Sequence, residues 1–115
     1  MDATAQFFED LRRRGHEPLL EKARGTLRVD LVNGQETERW FLSIDRGDVE
    51  VSHKLGKPDC TLHAAKKVFD RVARGELNAM AAVLRGALTF EGDPEILVRF
   101  QRLFPSPPAT PAAKR

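Results

Sequence analysis

The residues that could do chemistry are few in this chain of 115. The histidines are His16, His53 and His63, and the lone cysteine is Cys60. The histidines fall in different elements, with none of the close spacing that metal ligands need. His53 and His63 are expected on or near neighbouring strands, where a fortuitous pair could form. The plainer reading is that both face solvent. Cys60 alternates with apolar partners and has no helix N-terminus beside it, so it reads as a small buried hydrophobe rather than a nucleophile. Gly86 and Gly92 lack the spacing of a phosphate loop. Asp45 and Asp48 bracket a turn, where acids are common for backbone reasons. The run Arg12-Arg13-Arg14 has no interleaved aromatic residues to stack on bases, and cations suit a helix C-terminus. A net charge of +2 is too mild for a nucleic-acid footprint. No catalytic residue, metal or cofactor is therefore expected, and neither enzymatic activity nor a nucleic-acid partner.

The elements that would position a site are clearer. Asn78 to Asp93 reads NAMAAVLRGALTFEGD. Leu77, Met80, Ala81 and Leu84 recur at helical spacing, giving that helix one apolar face. Gly86 then breaks the helix, residues 87–91 read as a strand, and Gly92 breaks again. Asp93 is a good N-cap and Pro94 suits the first helical position of the next helix. Upstream, residues 2–14 predict a helix with Ala5, Phe8 and Leu11 on one face and Phe7 beside them. Residues 17–22 predict one further helical turn. Leu27, Val29 and Leu31 alternate with Arg28 and Asp30, and Asn33-Gly34 is a hairpin signal. Trp40, Leu42 and Ile44 share a face on the returning strand, with Phe41 among the polar residues opposite. Val49 and Val51 continue a third strand after a turn at residues 46–48. A loop over 54–58 precedes a fourth, in which Cys60, Leu62 and Ala64 alternate with polar residues. Short connections make neighbouring strands antiparallel, with one face apolar.

Helices over 65–73, 77–85 and 94–104 should cover that face. Val68, Phe69 and Val72 point inward from the first, while Ile96, Leu97, Phe100, Leu103 and Phe104 form a stripe on the last. Pro105 stops the chain's helical run. Residues 106–115, rich in proline and alanine, are expected to be a disordered tail. One compact domain over residues 1–105 follows. No apolar run approaches the length of a membrane span. The opening Met1-Asp2-Ala3-Thr4 has no apolar stretch of the secretory type, and the single cysteine fits a reducing compartment, so a cytoplasmic setting is expected.

These residues resemble the sterol-carrier-protein-two family of small lipid-binding domains, from the first helix to Phe104. The most specific part is Met80 through Gly86-Ala87-Leu88 to Glu91-Gly92-Asp93, then the helix ending Leu103-Phe104-Pro105. The strand at Leu27 to Leu31, Trp40 and Asp45-Arg46-Gly47 also fit. Many members have a lysine where this chain has Ala87, a position read as surface-facing. Peroxisomal members end in a serine-lysine-leucine type of tripeptide, whereas this chain ends Ala113-Lys114-Arg115.

The resemblance implies an α+β fold, with a single five-stranded, mostly antiparallel sheet covered on one face by helices and an apolar tunnel between the layers. It implies a lipid or other hydrophobic small molecule as partner, with transient contact with a membrane surface, and no catalysis. Trp40 and Leu62 from the sheet and Phe69 from the first covering helix are the expected lipid contacts there. Met80 and Leu84, then Leu88 and Phe90, then Leu97, Phe100 and Phe104 complete the expected lining. Each of these residues could equally fill a solid core. The function expected is non-catalytic binding and transfer of fatty acyl chains, sterol-like rings or isoprenoids. Two alternatives stand beside it. One is an accessory module presenting a lipid-like intermediate to biosynthetic enzymes of a quinone-type pathway. The other is a structural dimerisation domain.

Overall fold

The structure, a computed structural model, describes residues 2–53 and 56–105. Helix α1 spans Ala3–Arg14, and Asp2 caps it by accepting the Ala5 N–H. A 3-10 turn, Pro18–Leu20, leads into strand β1, Arg24–Asn33. The Asn33-Gly34 turn returns the chain as β2, Glu36–Asp45, paired antiparallel along its full length from Arg24↔Asp45 to Asn33↔Glu36. Strand β3, Asp48–Ser52, pairs antiparallel with β2. Leu27, Val29, Leu31, Trp40, Leu42 and Ile44 are all buried, so the alternation set the register as expected.

Strand β4, Cys60–Ala65, departs from the expected order. It does not pair with β3 but lies parallel to β1, with Leu27↔Cys60 and Val29↔Leu62 in register. The sheet therefore runs β3-β2-β1-β4-β5. The connection from Ser52 to Cys60 can span this crossing, because each residue reaches roughly 3.3–3.6 Å and strands sit about 4.8 Å apart. Gly56 lies over the sheet's outer face, where a Cβ on it would meet the Phe41 ring at 3.5 Å. Phe41 is thus buried on the face that alternation marks as polar. The crossing also separates the two histidines that neighbouring strands could have paired. His53 lies against Trp40, with ring centroids 4.4 Å apart, whereas His63 lies on β4 with its Nδ1 3.8 Å from Asp30.

Helix α2, Lys66–Ala73, follows β4 directly and buries Phe69 and Val72. Helix α3, Ala79–Leu84, is capped by Asn78 and buries Ala79 and Ala82. This corrects the inner face expected for it: Leu84 is 86% exposed and Met80 is half-buried. The helix is apolar all round, so spacing does not mark one buried side, and the alanines permit the closer approach. Strand β5, Leu88–Gly92, pairs antiparallel with β4. A Cβ on Gly92 would stand 2.2 Å from the Asp59 carbonyl oxygen, so only glycine permits this approach. Helix α4, Pro94–Phe100, is shorter than expected and passes into a 3-10 turn, Gln101–Leu103. The tail expected over residues 106–115, and part of the loop expected over 54–58, lie outside the described residues.

The helices lie on one face of a mostly antiparallel sheet, and the apolar layer between them holds the core. The other face is sealed by charge. Asp30 is buried there, accepting from Arg28 Nε and Nη2 at 3.0 and 3.1 Å. Arg39 Nε stands 3.5 Å from the same carboxylate. No helix among the described residues is long and apolar enough to cross a membrane.

Candidate functional site

The layer between sheet and helices is built from rings. Consecutive residues of α1, Phe7 and Phe8, enter it from different angles. Phe8 is fully buried and stacks on Trp40 of β2, with centroids 4.6 Å apart and planes 18° apart. It also lies parallel to Phe69 of α2, 5.7 Å away. Phe7 is half-buried and meets Phe8, Phe69 and Phe100 edge-on at 5.2, 6.4 and 6.0 Å. Its face stacks on Phe104 at 4.5 Å and 17°. Contacts thus run in series from Phe104 through Phe7 and Phe8 to Trp40. Each such pair adds about 0.5–1.5 kcal/mol beyond the area it buries. None is directional in the way a hydrogen bond is, so the rings can shift against each other.

The two ends of this series differ. Beside Phe7, towards the Phe104 end, lies an open groove of about 670 Å³, with Phe7, Leu103, Ala73 and Pro105 among its apolar lining and Arg13, Arg14, Arg74 and Asp10 among its polar lining. At the Trp40 end the layer closes on polar groups, of which Thr4 and Lys66 are buried. The Trp40 indole N–H donates to Glu38 at 2.5 Å. Lys66, only 9% exposed at the start of α2, donates to Asp2 at 2.6 Å. Its ammonium also stands 3.8 Å from Glu38 and 4.0 Å from Asp70. Thr4 donates to Asp70 from both its backbone N–H and its hydroxyl, at 3.1 and 2.6 Å. These bonds tie the first turn of α1 to α2. Burial works against charge on Lys66, but the Asp2 hydrogen bond and the Glu38 and Asp70 carboxylates outweigh it and raise its pKa above the ordinary value. The Lys66 hydrogen bond, helped by the Ala5 N–H, holds Asp2 below the usual carboxylate range.

The sequence-predicted contacts separate accordingly. Trp40, Leu62, Phe69, Leu88, Leu97 and Phe100 are buried in the core between sheet and helices. Phe104 is half-buried at the groove end, and Phe90, opposite Leu62 in register, is half-buried on β5. Met80 and Leu84 lie on α3 away from its buried alanines. The sequence singled out neither Phe7 nor the Lys66 cluster as part of a site. The Phe7-Phe8 pair was a visible signal, whereas nothing local marked Lys66. Cys60 is buried, which pushes its thiol up to about 11. Among the described residues no cluster of three or more His, Cys, Asp or Glu could hold a metal.

Comparison with known proteins gives a family match over residues 7–105, to the SCP-2 sterol transfer family. Peroxisomal multifunctional enzyme A of Dictyostelium discoideum is 27% identical over 77 residues, covering 65% of this chain. The match spans only 18% of that relative's length. The solution structure of palmitated SCP2L2 from Aedes aegypti superposes with a TM-score of 0.70 at 15% identity, covering 90% of this chain and 96% of that one. A ubiquinone synthesis protein, UbiJ-SCP2, is 25% identical with a TM-score of 0.62, covering 87% of this chain and 86% of that one.

Proposed function

The chain belongs to the SCP-2 sterol transfer family, and from that premise we propose that it binds and transfers hydrophobic ligands in the ring-lined layer between sheet and helices, without catalysis. Acyl chains, sterol-like rings and isoprenoids are the ligand classes. The observation that carries the reading is the unbroken series of rings from the buried Trp40 to the half-buried Phe104, within which Phe7 lines an open groove. The energetics need no polar anchor. Each buried methylene contributes about 0.8 kcal/mol. A long acyl chain therefore gains on the order of 10 kcal/mol before ordering costs, and micromolar binding needs about 8. The ligand enters by displacing rings rather than by filling a void, so Phe7 and Phe104, each exposed on one side, move first. The ligand-binding unit is assigned to residues 1–105.

Organic extraction of the purified protein followed by mass spectrometry tests this. Co-purified lipid, and saturable uptake of a fluorescent acyl probe, are expected. An extract without lipid and a probe that never saturates would reject the reading. The likeness to a ubiquinone synthesis protein favours a second one, in which the domain presents a lipid-like intermediate to biosynthetic enzymes. A co-purifying enzyme complex supports that role, and free exchange of lipid between vesicles supports the carrier.

A further inference from the structure

The apolar side of α3 that the spacing predicts exists, but it points outward. Met80, Ala81 and Leu84 lie three and four residues apart and so share one side of the helix, away from the buried Ala79 and Ala82. Leu84 is 86% exposed, and no other large hydrophobic among the described residues passes 51%. An exposed leucine with a methionine and an alanine beside it is a contact surface rather than a stray side chain. The charge around α3 narrows what it meets. From Leu77 to Phe90 the chain holds one cation, Arg85, and no acid. Arg102 faces the start of α3 across a pocket that it lines with Asn78, Ala79 and Phe104. Neither guanidinium forms a hydrogen bond or ion pair among the described residues. The arginines of α1 are different. Arg12, Arg13 and Arg14 pair with Glu9, Asp10 and Glu17 in turn, and that helix turns Phe8 and Leu11 into the core. Helix α3 therefore combines what α1 lacks, exposed apolar side chains with uncommitted cations beside them.

We propose that the outer side of α3 docks on a bilayer containing anionic lipid, with Leu84 among the acyl chains and Arg85 and Arg102 at the headgroups. This rests on the lipid-binding reading above and names the surface at which a ligand is exchanged. The placement suits exchange. The pocket beside α3 is lined by Phe104, the half-buried end of the ring series, so docking brings that end to the bilayer. One short helix buries few side chains, so attachment is shallow and reversible, as transfer requires. Anionic headgroups supply the charge that the two arginines lack. A second copy of the chain would bring its own Arg85 and Arg102 and no acid from residues 77–90, so it complements this side less well.

Co-sedimentation of the full chain with vesicles tests this, using phosphatidylcholine alone or mixed with phosphatidylglycerol. The parent should bind the mixed vesicles, bind the neutral ones far less, and lose the difference as salt rises. Leu84→Gln should weaken binding about tenfold, the size of one apolar side chain returned to water, with the melting temperature held. Arg85→Gln/Arg102→Gln should weaken binding to the mixed vesicles about thirtyfold, as expected for two cations near an anionic surface. In Leu84→Trp the new indole should shift its emission to the blue on mixed vesicles and be quenched by brominated acyl chains. Binding that survives both sets of α3 substitutions, or an indole that stays in water on the vesicles, overturns the proposal. Loss of binding in Arg12→Gln/Arg13→Gln, with the α3 variants unaffected, moves the docking surface to α1 and also overturns it. A parent that sediments alone as a dimer, and becomes a monomer in Leu84→Gln, assigns the face to a second copy and overturns it too. A parent that takes up an acyl probe yet ignores mixed vesicles rejects the docking surface and leaves lipid binding standing. A parent that docks but takes up no probe rejects lipid binding and leaves the surface standing.

Discussion

The same helix covers both ends of the ring series, yet its hold differs between them. At the Trp40 end the first turn of α1 is pinned by the Asp2–Lys66 and Thr4–Asp70 hydrogen bonds, at 2.6 Å each. At the groove end the Phe7 side chain makes ring contacts, the closest being its stack on Phe104 at 4.5 Å. Hydrogen bonds to charged groups fix distance and direction, whereas ring contacts tolerate sliding. Layers that must admit a guest need one fixed edge to keep their register and one edge that yields. On the proposed lipid-binding reading, the polar end would be the fixed edge and the groove end the yielding one.

The strongest challenge to this division is Lys66→Met, which keeps the packing volume and removes the charge. Three carboxylates then lose their shared partner. Removing one member of a buried pair costs about 3–5 kcal/mol. Because Asp2 and Glu38 remain partly exposed, about 2–3 kcal/mol is the expected loss here. The melting temperature should fall on the order of 10 °C, and amide exchange should rise first in the opening turn of α1. If the protein melts unchanged, the polar end is not the fixed edge.

Phe7→Leu probes the yielding edge and should cost less. The half-buried ring is replaced by a smaller apolar group, at about 1 kcal/mol. Uptake of an acyl probe should nevertheless accelerate several-fold, because the stack on Phe104 is gone. Stopped-flow uptake with matched thermal melts separates the two effects. A variant that loses stability without any change in uptake would return Phe7 to the role of ordinary core.

The sheet of this division was legible in the sequence. Leu27, Val29 and Leu31 alternate on β1, Trp40, Leu42 and Ile44 alternate on β2, and a one-sided sheet must bury such sets together. The position of β4 was not legible, because a connection long enough to cross two strands leaves the choice of partner to tertiary packing. Nor was the buried face of α3, where every residue of AMAAVL is apolar. The candidate site was half visible. Its rings Trp40, Phe69, Phe100 and Phe104 were readable from periodicity together with the family resemblance. The ties at its fixed edge join residues 64 and 66 positions apart, and no local pattern reports a contact at that separation.

Acid offers a gentler way to loosen the fixed edge. The folded protein holds Asp2 below the ordinary carboxylate range, chiefly through the Lys66 hydrogen bond. A group depressed in this way contributes fully at pH above its unfolded value of about 3.9 and loses its contribution as pH falls through the lower folded value. Stability should therefore show no Asp2 component between neutral pH and about pH 5, and a loss below about pH 4. Trp40, which donates to Glu38 beside Lys66, supplies a fluorescence reporter. Asp2→Asn should remove this component of the acid transition, and an unaltered transition in that variant would detach Asp2 from the fixed edge.

The smallest expected effect falls outside both edges and marks where the site stops. Leu84 is an expected lipid contact from the sequence, yet its side chain stands in solvent on α3. Leu84→Trp separates two accounts of it. If the layer reached this side of α3, the larger ring would occupy ligand space, and acyl probe binding would fall sharply. If α3 serves only as cover, through the buried Ala79 and Ala82, the new ring stays in water. Stability should then change by no more than about 0.5 kcal/mol, as for surface positions generally, and probe affinity should stay within about twofold. The second outcome is the one that the exposure favours. A sharp loss of binding with an unchanged melting temperature would instead extend the yielding edge from Phe7 and Phe104 to the far side of α3, and the comparison of the two ends would have to be redrawn with a third.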